Sequence, residues 1–335
     1  MTLKNRRLTV TGASFIGYHL IKKLLEENPR TIKVVNLTDK HFKKLRACSK
    51  SIKLVKCDLR DTEKARKALE NTDVLFHLAA AHGGRGYVEL NDAATSTNFL
   101  LDGSVFSAAL KNNTEKVFFA SSGCVYPNYL QRNVKKKLYL KEEMVGPPYD
   151  SDNMYGWAKL MGEMTLKAYH KKYGLKSAIG RFFTVYGPEA TESHAVMATI
   201  AKTFVKRDPF KIWGDGTQIR NWTYVSDIVK GTLLMAKKVD DAISINLGTM
   251  EKTRVVDMAN KVWKHMGFHP KKIEFVNELV GPVNRVCDNG LAKKLLGWKP
   301  EYPFEEGLKL TIDWYLKNKD SNVIKRKLDK LLLSQ

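Results

Sequence analysis

Tyr155 and Lys159 stand four residues apart in the segment YGWAK, a spacing that puts both side chains on one face of a helix. An ammonium beside a phenol lowers the phenol's pKa. The resulting phenolate can take the proton of a substrate hydroxyl while a hydride leaves the same carbon. Upstream, the stretch SSGCVYP supplies Ser122, whose hydroxyl could bond the same substrate oxygen, and a free cysteine, Cys124. Cysteine is among the most often buried residue types. Cys124 therefore reads either as a small hydrophobe closing a strand or as a chemically active thiol, and the stretch alone leaves both open.

A second group of residues suits a dinucleotide. In TVTGASFIG, Gly12, Ser14 and Gly17 have the spacing of a strand-to-helix turn that aims backbone N–H groups and a helix N-terminus at a pyrophosphate, with Phe15 and Ile16 opening the helix. The middle glycine of that pattern is Ser14 here, small enough for the turn to survive. The second strand candidate ends VVNLTD, so its first polar residue is Asn36 and its acid, Asp39, comes three positions later. An acid at this place bonds the ribose 2′-hydroxyl and favours NAD over NADP. NAD is the expected cofactor, although Lys40 and Lys43 lie near enough to meet a 2′-phosphate. Asp58, followed by Leu59, could face the adenine amine, and Leu78, Ala79 and Ala80 in HLAA let the chain pass under the cofactor.

Elements that could position these groups alternate. Strand-like runs (RRLTVTG, TIKVVNL, SIKLVKCDL, DVLFHLAA, KVFFASS, SAIGRFFTVYG) are separated by helix-like ones, including long helices near 93–111 and 155–172. This rhythm implies an α/β fold, a Rossmann-type doubly wound parallel sheet built from right-handed crossovers. It breaks after residue 187. The expected organisation is a dinucleotide-binding domain over 1–187 carrying the tyrosine–lysine helix, and over 188–335 a smaller, mainly substrate-binding region with some segments returning to the sheet. The tail SNVIKRKLDKLLLSQ reads as a basic amphipathic helix.

The chain has 335 residues, 43% of them hydrophobic, and a net charge of +22. Its lysines are dispersed at helical spacing, which reads as a solvated surface rather than a nucleic-acid face. No apolar run is long enough for a membrane span, and no signal peptide is read at the start. Cys48, Cys57, Cys124 and Cys287 show no disulfide or metal-ligand spacing, so reduced thiols in a cytoplasmic, metal-free protein are expected.

Taken together, TGASFIG, CDLRD, HLAAA, Asn98, SSGCVYP, YGWAK, RFFTVYGP, WGDGTQIRNWTYVSDIV and LGWKPEYPFEEGL resemble the extended short-chain dehydrogenase/reductases that act on nucleotide-sugars. The resemblance covers essentially residues 7–315. It implies an NAD-dependent enzyme that oxidises a sugar carbon through Ser122, Tyr155 and Lys159, adds Asn98 to the cofactor site, and implies a homodimer built on the two long helices. Sugar dehydratases of this family carry an acid after the serine; Gly123 and Cys124 stand there, which argues against dehydration. The motifs come closest to the GDP-mannose 3,5-epimerase and GDP-L-fucose synthase branches, which place a cysteine at this point and a glycine-rich loop after the fourth strand. The latter branch pairs its cysteine with a histidine, and Ser193–His194 stands at the matching place. The resemblance further implies substrate contacts from His82, Gly84, Arg85 and Gly123, with Arg220 and Arg285 clamping a diphosphate through bidentate guanidinium contacts.

The leading expectation is an epimerase working through a transient 4-keto sugar, most simply a GDP-sugar 3,5- or 5-epimerase. The ketone acidifies its neighbouring carbons, and a Cys124 thiolate and a His194 imidazolium could remove and return a proton. The alternative is a UDP-sugar 4-epimerase, on UDP-glucose or UDP-glucuronate, needing only Ser122, Tyr155 and Lys159. An NADPH-dependent epimerase-reductase is a further alternative. From a different class, a non-catalytic dinucleotide sensor would have no need of the Tyr155–Lys159 pair.

Overall fold

The computed structural model describes residues 1–277 and 280–333. Its first half alternates strand and helix: β1 (Arg7–Thr11), α1 (Phe15–Glu26), β2 (Thr31–Asn36), α2 (Phe42–Cys48), β3 (Lys53–Lys56), α3 (Thr62–Ala68), β4 (Val74–His77), α4 (Arg85–Leu90), α5 (Asp92–Lys111), β5 (Lys116–Ser122), α6 (Asn153–Tyr173) and β6 (Lys176–Phe182). The chain then continues through β7 (Val185–Tyr186), α7 (Ala195–Phe204), β8 (Phe210–Trp213), β9 (Ile219–Arg220), β10 (Thr223–Tyr224), α8 (Val225–Lys238), β11 (Asp241–Leu247), β12 (Thr253–Arg254), α9 (Val255–Met266), β13 (Ile273–Val276), β14 (Asn284–Arg285), α10 (Gly290–Leu296), α11 (Phe304–Asn318) and α12 (Ser321–Leu332).

Seven strands form one parallel sheet in the order β11-β6-β5-β4-β1-β2-β3. The order reverses between β1 and β4, and ligands of doubly wound sheets bind outside the strand C-termini at such a switch point. The inner strands β1, β4, β5 and β6 are buried on both faces, and β4 and β5 read as largely apolar runs, whereas the edge strand β3 is half-exposed. One core packs α1, α8 and α10 against one face of the sheet, and another packs α3, α5 and α6 against the other. A separate core joins α7, α9, α11 and α12 around Met197, Trp222, Tyr315 and Leu328. The amphipathic tail is α12, whose Ile324 and Leu328 are buried there.

Two segments depart from the expected elements. SAIGRFFTVYG is not one strand: the backbone turns at Thr184, where φ is 27°, and β7 leaves the sheet to pair with β10. The glycine-rich loop after β4 ends at Gly84, and α4 begins at Arg85.

Helix α6 is fastened to the sheet by a buried carboxylate. Glu163 accepts from Ser121 of β5 at 2.5 Å, from Arg181 of β6 at 2.9 and 2.7 Å, and from Ser244 of β11 at 2.7 Å. Burial alone would push Glu163 up; Arg181 and the hydroxyls outweigh it and hold the carboxyl below its ordinary range. Breaking such a pair leaves an uncompensated buried charge. Glu163→Ala is therefore expected to lower the unfolding free energy by about 3–5 kcal/mol in urea titrations. The double variant Glu163→Leu/Arg181→Met is expected to lose clearly less.

Candidate active site

A single cleft of about 790 Å³ runs from the turn after β1 to β14. At one end the chain is shaped for a dinucleotide. Gly12 has φ of 85°, and a Cβ there would lie 2.7 Å from the amide nitrogen of Ala79; a Cβ on Gly17 would lie 1.9 Å from the carbonyl oxygen of Gly12. No residue with a side chain fits at either position, whereas position 14 has no such crowding, which is why serine is tolerated. Ser14 makes no side-chain cap to α1. The first N–H groups of that helix thus have no capping side chain, an arrangement suited to a phosphate. These features fit NAD. Ser14, Phe15, Ile16, Asn36, Asp58, Leu59, Leu78, Ala79 and Ala80 line this end with the two glycines.

Two expected cofactor residues lie elsewhere. Asp39 is 70% exposed at its side chain and faces a separate surface hollow, 3.8 Å from Lys56. Asn98 is fully buried outside the cleft lining, where its amide accepts from the N–H of Ala81 at 2.8 Å and donates to the carbonyl of Ala81 at 3.0 Å. It clamps the loop that follows β4 rather than facing the cleft.

All but His194 of the residues expected to be catalytic are brought together by β5, the turn after it and α6. Ser122, Gly123, Cys124, Tyr155 and Lys159 all line the middle of the cleft. The Ser122 hydroxyl accepts from the backbone N–H of Cys124 at 3.1 Å. Lys159 Nζ lies 5.8 Å from the Tyr155 ring centroid and 3.6 Å from Asp102. The expected lowering of the phenol is not found. Burial pushes Tyr155 up, the negative charges of Cys124 and Asp102 push further, and only the Ser122 hydroxyl pulls it down. Lys159 is itself lowered by burial, against the pull of Asp102. Behind it runs a buried chain that sequence reading missed. Thr11 Oγ1 lies 2.6 Å from His77 Nδ1, and His77 Nε2 lies 2.9 Å from Asp102.

The glycine loop brings His82 against the tyrosine, with His194 beside the His82 ring. Gly84 donates to Ser193 at 3.2 Å, and a Cβ at Gly84 would meet the Ser193 carbonyl at 1.7 Å, so the loop and the Ser193–His194 step touch. The His82 ring stacks on Tyr155 at 4.6 Å and lies 5.4 Å from the His194 ring. Burial pushes His82 down to about 3, helped by His194 and Lys159, and pushes His194 down to about 4.

Three arginines line the substrate end, and they do not act alike. Arg285 donates to Gln131 at 2.7 Å, to Asp152 at 2.9 Å and to Cys124 Sγ at 3.2 Å. Burial alone would lower it; Cys124 and Asp152 hold it above its ordinary value. Its guanidinium is tied into the protein around the sulfur and is not a free diphosphate clamp. Arg85 donates to the same Asp152 at 2.8 Å and pairs with Glu89. Among the described residues Arg220 bonds only the carbonyl of Ile219, at 2.8 Å. Burial, then repulsion from Arg285 and Arg85, push Arg220 down to about 9. A guanidinium stays protonated regardless, so the depression marks a buried cation that has no ion pair among the described residues and is offset only in part by Asp152 and Cys124. Asp152 and Gln131, which organise this end, were not singled out from the sequence. Among the described residues no cluster of histidine, cysteine and carboxylate groups could hold a metal ion, and no helix is long and apolar enough to cross a membrane.

His82 and His194, two of five histidines lowered by burial, carry a pH signature. Below about 6.5 the unfolded chain binds protons at both positions, while the folded chain refuses them until about 4 and about 3. The unfolded state then holds more protons, so stability falls on acidification through this window. The expected slope is up to about 1.4 kcal/mol per pH unit per histidine. His194→Gln should flatten it in urea titrations between pH 6.5 and 4.5, with little change above pH 7.5.

The chain's relatives agree with this geometry. The family model described as NAD dependent epimerase/dehydratase matches residues 8–248. The GDP-mannose 3,5-epimerase of Arabidopsis thaliana is 33% identical over 320 residues, 93% of this chain and 82% of that protein. The UDP-glucuronate 4-epimerase of Thermodesulfobacterium geofontis is 29% identical over 327 residues, 92% of this chain and 96% of that protein. Among solved structures, the UDP-glucuronic acid 4-epimerase of Bacillus cereus, in complex with UDP-glucuronic acid and NAD, matches with a TM-score of 0.82 at 26% identity, over 93% of this chain and all of that one. A Rossmann-type sheet, a glycine turn shaped for a dinucleotide and a Ser122–Tyr155–Lys159 group in one cleft therefore have a common explanation: the chain belongs to the NAD-dependent epimerase/dehydratase family of enzymes.

Proposed function

We propose that the protein is a nucleotide-sugar epimerase that inverts a carbon next to a transient 4-keto group, as a GDP-sugar 3,5- or 5-epimerase does. The observation that carries this reading is that one cleft holds, besides Tyr155, both Cys124, held at its sulfur by Arg285, and His194, whose ring lies 5.4 Å from the His82 ring stacked on Tyr155. A hydride-and-rotate 4-epimerase has no use for two further proton carriers. NAD, when bound, supplies the hydride acceptor and a positive charge beside Tyr155. Tyr155 takes the proton of the sugar 4-hydroxyl, Ser122 bonds the same oxygen, and Lys159, 5.8 Å from the phenol ring, is the cation beside them. The ketone so formed acidifies its neighbouring carbons. His194, kept neutral by its burial, is the proton acceptor, and the Cys124 thiol is the donor that completes inversion. Arg220, the cation without an ion pair among the described residues, takes the diphosphate.

The likeness to UDP-glucuronate 4-epimerases supports a second reading, in which Ser122, Tyr155 and Lys159 suffice and Cys124 only packs against Arg285. Incubation with GDP-mannose, UDP-glucose and UDP-glucuronate in D₂O, read by proton NMR, separates the two. Deuterium at C3 or C5 is expected; a C4 epimer without deuterium would establish the second reading. Cys124→Ala is expected to keep solvent exchange at the carbon while losing inversion about 10²–10⁴-fold, whereas His194→Asn loses both. Tyr155→Phe should abolish either reaction.

The exposed apolar residues of α5 and α6, including Phe99, Leu100, Trp157 and Met161, suit a homodimer through these helices. Light scattering is expected to give twice the chain mass, and Met161→Glu to give a monomer that keeps its fold.

A further inference from the structure

The adenosine end of the cleft has an unusual charge pattern. Where β2 ends, an acid facing the cleft would bond the ribose 2′-hydroxyl and repel a 2′-phosphate. The residue facing the cleft here is Asn36. Its amide is already engaged inside the protein. Its oxygen accepts from the N–H of Ala13 at 3.2 Å, and its nitrogen donates to the carbonyl of Thr38 at 2.8 Å. It thus holds the glycine turn against the end of β2 and carries no charge. The nearest acid in sequence, Asp39, points to the other side, into the hollow lined by Phe42, Lys43, Arg46 and Lys56.

The residues that follow Asp39 turn back. Lys40 and His41 both line the cleft beside Asn36 and Thr38. Two carboxylates also line it, and each has a cationic partner. Asp58 is gripped by Arg60 at 2.9 and 2.6 Å, and Glu189 is paired with Lys44. The end of the cleft that would receive the adenosine ribose therefore offers N–H donors and a lysine without a facing carboxylate among its contacts, and no unpaired carboxylate among the described lining residues.

We propose that this end accepts NADP⁺ as well as NAD⁺, with Asn36 as the residue that withholds discrimination and Lys40 as the cation that meets the 2′-phosphate. The inference rests on the dinucleotide reading of the cleft and concerns only which dinucleotide enters. A carboxylate at position 36 would favour the bare ribose by bonding its hydroxyl and by repelling the phosphate dianion; a neutral amide does neither. Lys43, the other cation near this turn in sequence, faces the outer hollow and takes no part.

The test is a competition read without turnover. Purified protein is dialysed to equilibrium against equimolar NAD⁺ and NADP⁺, then denatured, and the released nucleotides are quantified by chromatography. A bound NADP⁺:NAD⁺ ratio of about 0.1 or more is expected; a lower ratio overturns the proposal. Asn36→Asp should lower the ratio at least about tenfold. Because that substitution also touches the Thr38 contact, exposed Lys40→Glu serves as the second variant and should lower the ratio in the same direction. A ratio unchanged in both variants overturns the assignment to these residues. The wild-type ratio should also fall as salt is raised from about 0.02 to 0.5 M, since the lysine–phosphate attraction is screened. If neither nucleotide is retained, the dinucleotide reading itself fails, and this inference fails with it.

Discussion

Asp152 is the charge on which the substrate end of the cleft depends. Almost fully buried at the start of α6, it accepts from Arg85 and from Arg285, and its backbone N–H donates to the carbonyl of Cys124 at 2.9 Å. Three distant pieces of chain thus converge on one residue: the start of α4, the turn after β5 and strand β14. Burying one anion with two cations is stable only because each guanidinium has further partners, Gln131 and Cys124 for Arg285, Glu89 for Arg85. The arrangement still leaves a positive surplus, and Arg220 carries it. A site short of negative charge among its described residues suits the proposed diphosphate, which would complete the charge balance.

The same principle orders the other side of Tyr155. Lys159 is buried without an exposed outlet for its charge, and the Thr11–His77–Asp102 chain stands behind it as a fixed counter-dipole. Asp102 tempers the ammonium, so the phenol does not feel an isolated cation. Activation of Tyr155 therefore belongs to the assembled complex and not to the protein alone. The stacking of His82 on the phenol ring links this centre to His194, so the oxidation site and the proposed inversion site share a wall.

Much of this was legible in the sequence where one residue's chemistry depends on its neighbours along the chain. The glycine turn, the four-residue step from Tyr155 to Lys159 and the strand runs are local patterns, and they appear in the fold as expected. What could not be read were meanings set by distant partners. Arg285 looks like a diphosphate clamp until Gln131, Asp152 and Cys124 surround it. Asp39 looks like a ribose acceptor until the turn after β2 rotates it outward. Asn98 looks like a cofactor contact until its amide is found holding Ala81. Asp152 and Asp102 gave no signal, because a carboxylate near a helix start or in a polar stretch of helix is most often simply solvated. Helix α4 was hidden by the glycines before it, and the break between β6 and β7 by an apolar composition that continues through the turn.

Strand β11 has a consequence for how the chain is made. It reaches the main sheet from residues 241–247 and covers the outer edge of β6. Until that segment has been synthesised, β6 presents a row of unpaired backbone groups flanked by Phe118 and Phe182, the kind of open edge to which other chains add. A nascent or truncated chain stopping short of residue 241 would display it, so the first two-thirds of the sequence is not a self-sufficient folding unit despite containing every residue of the dinucleotide turn.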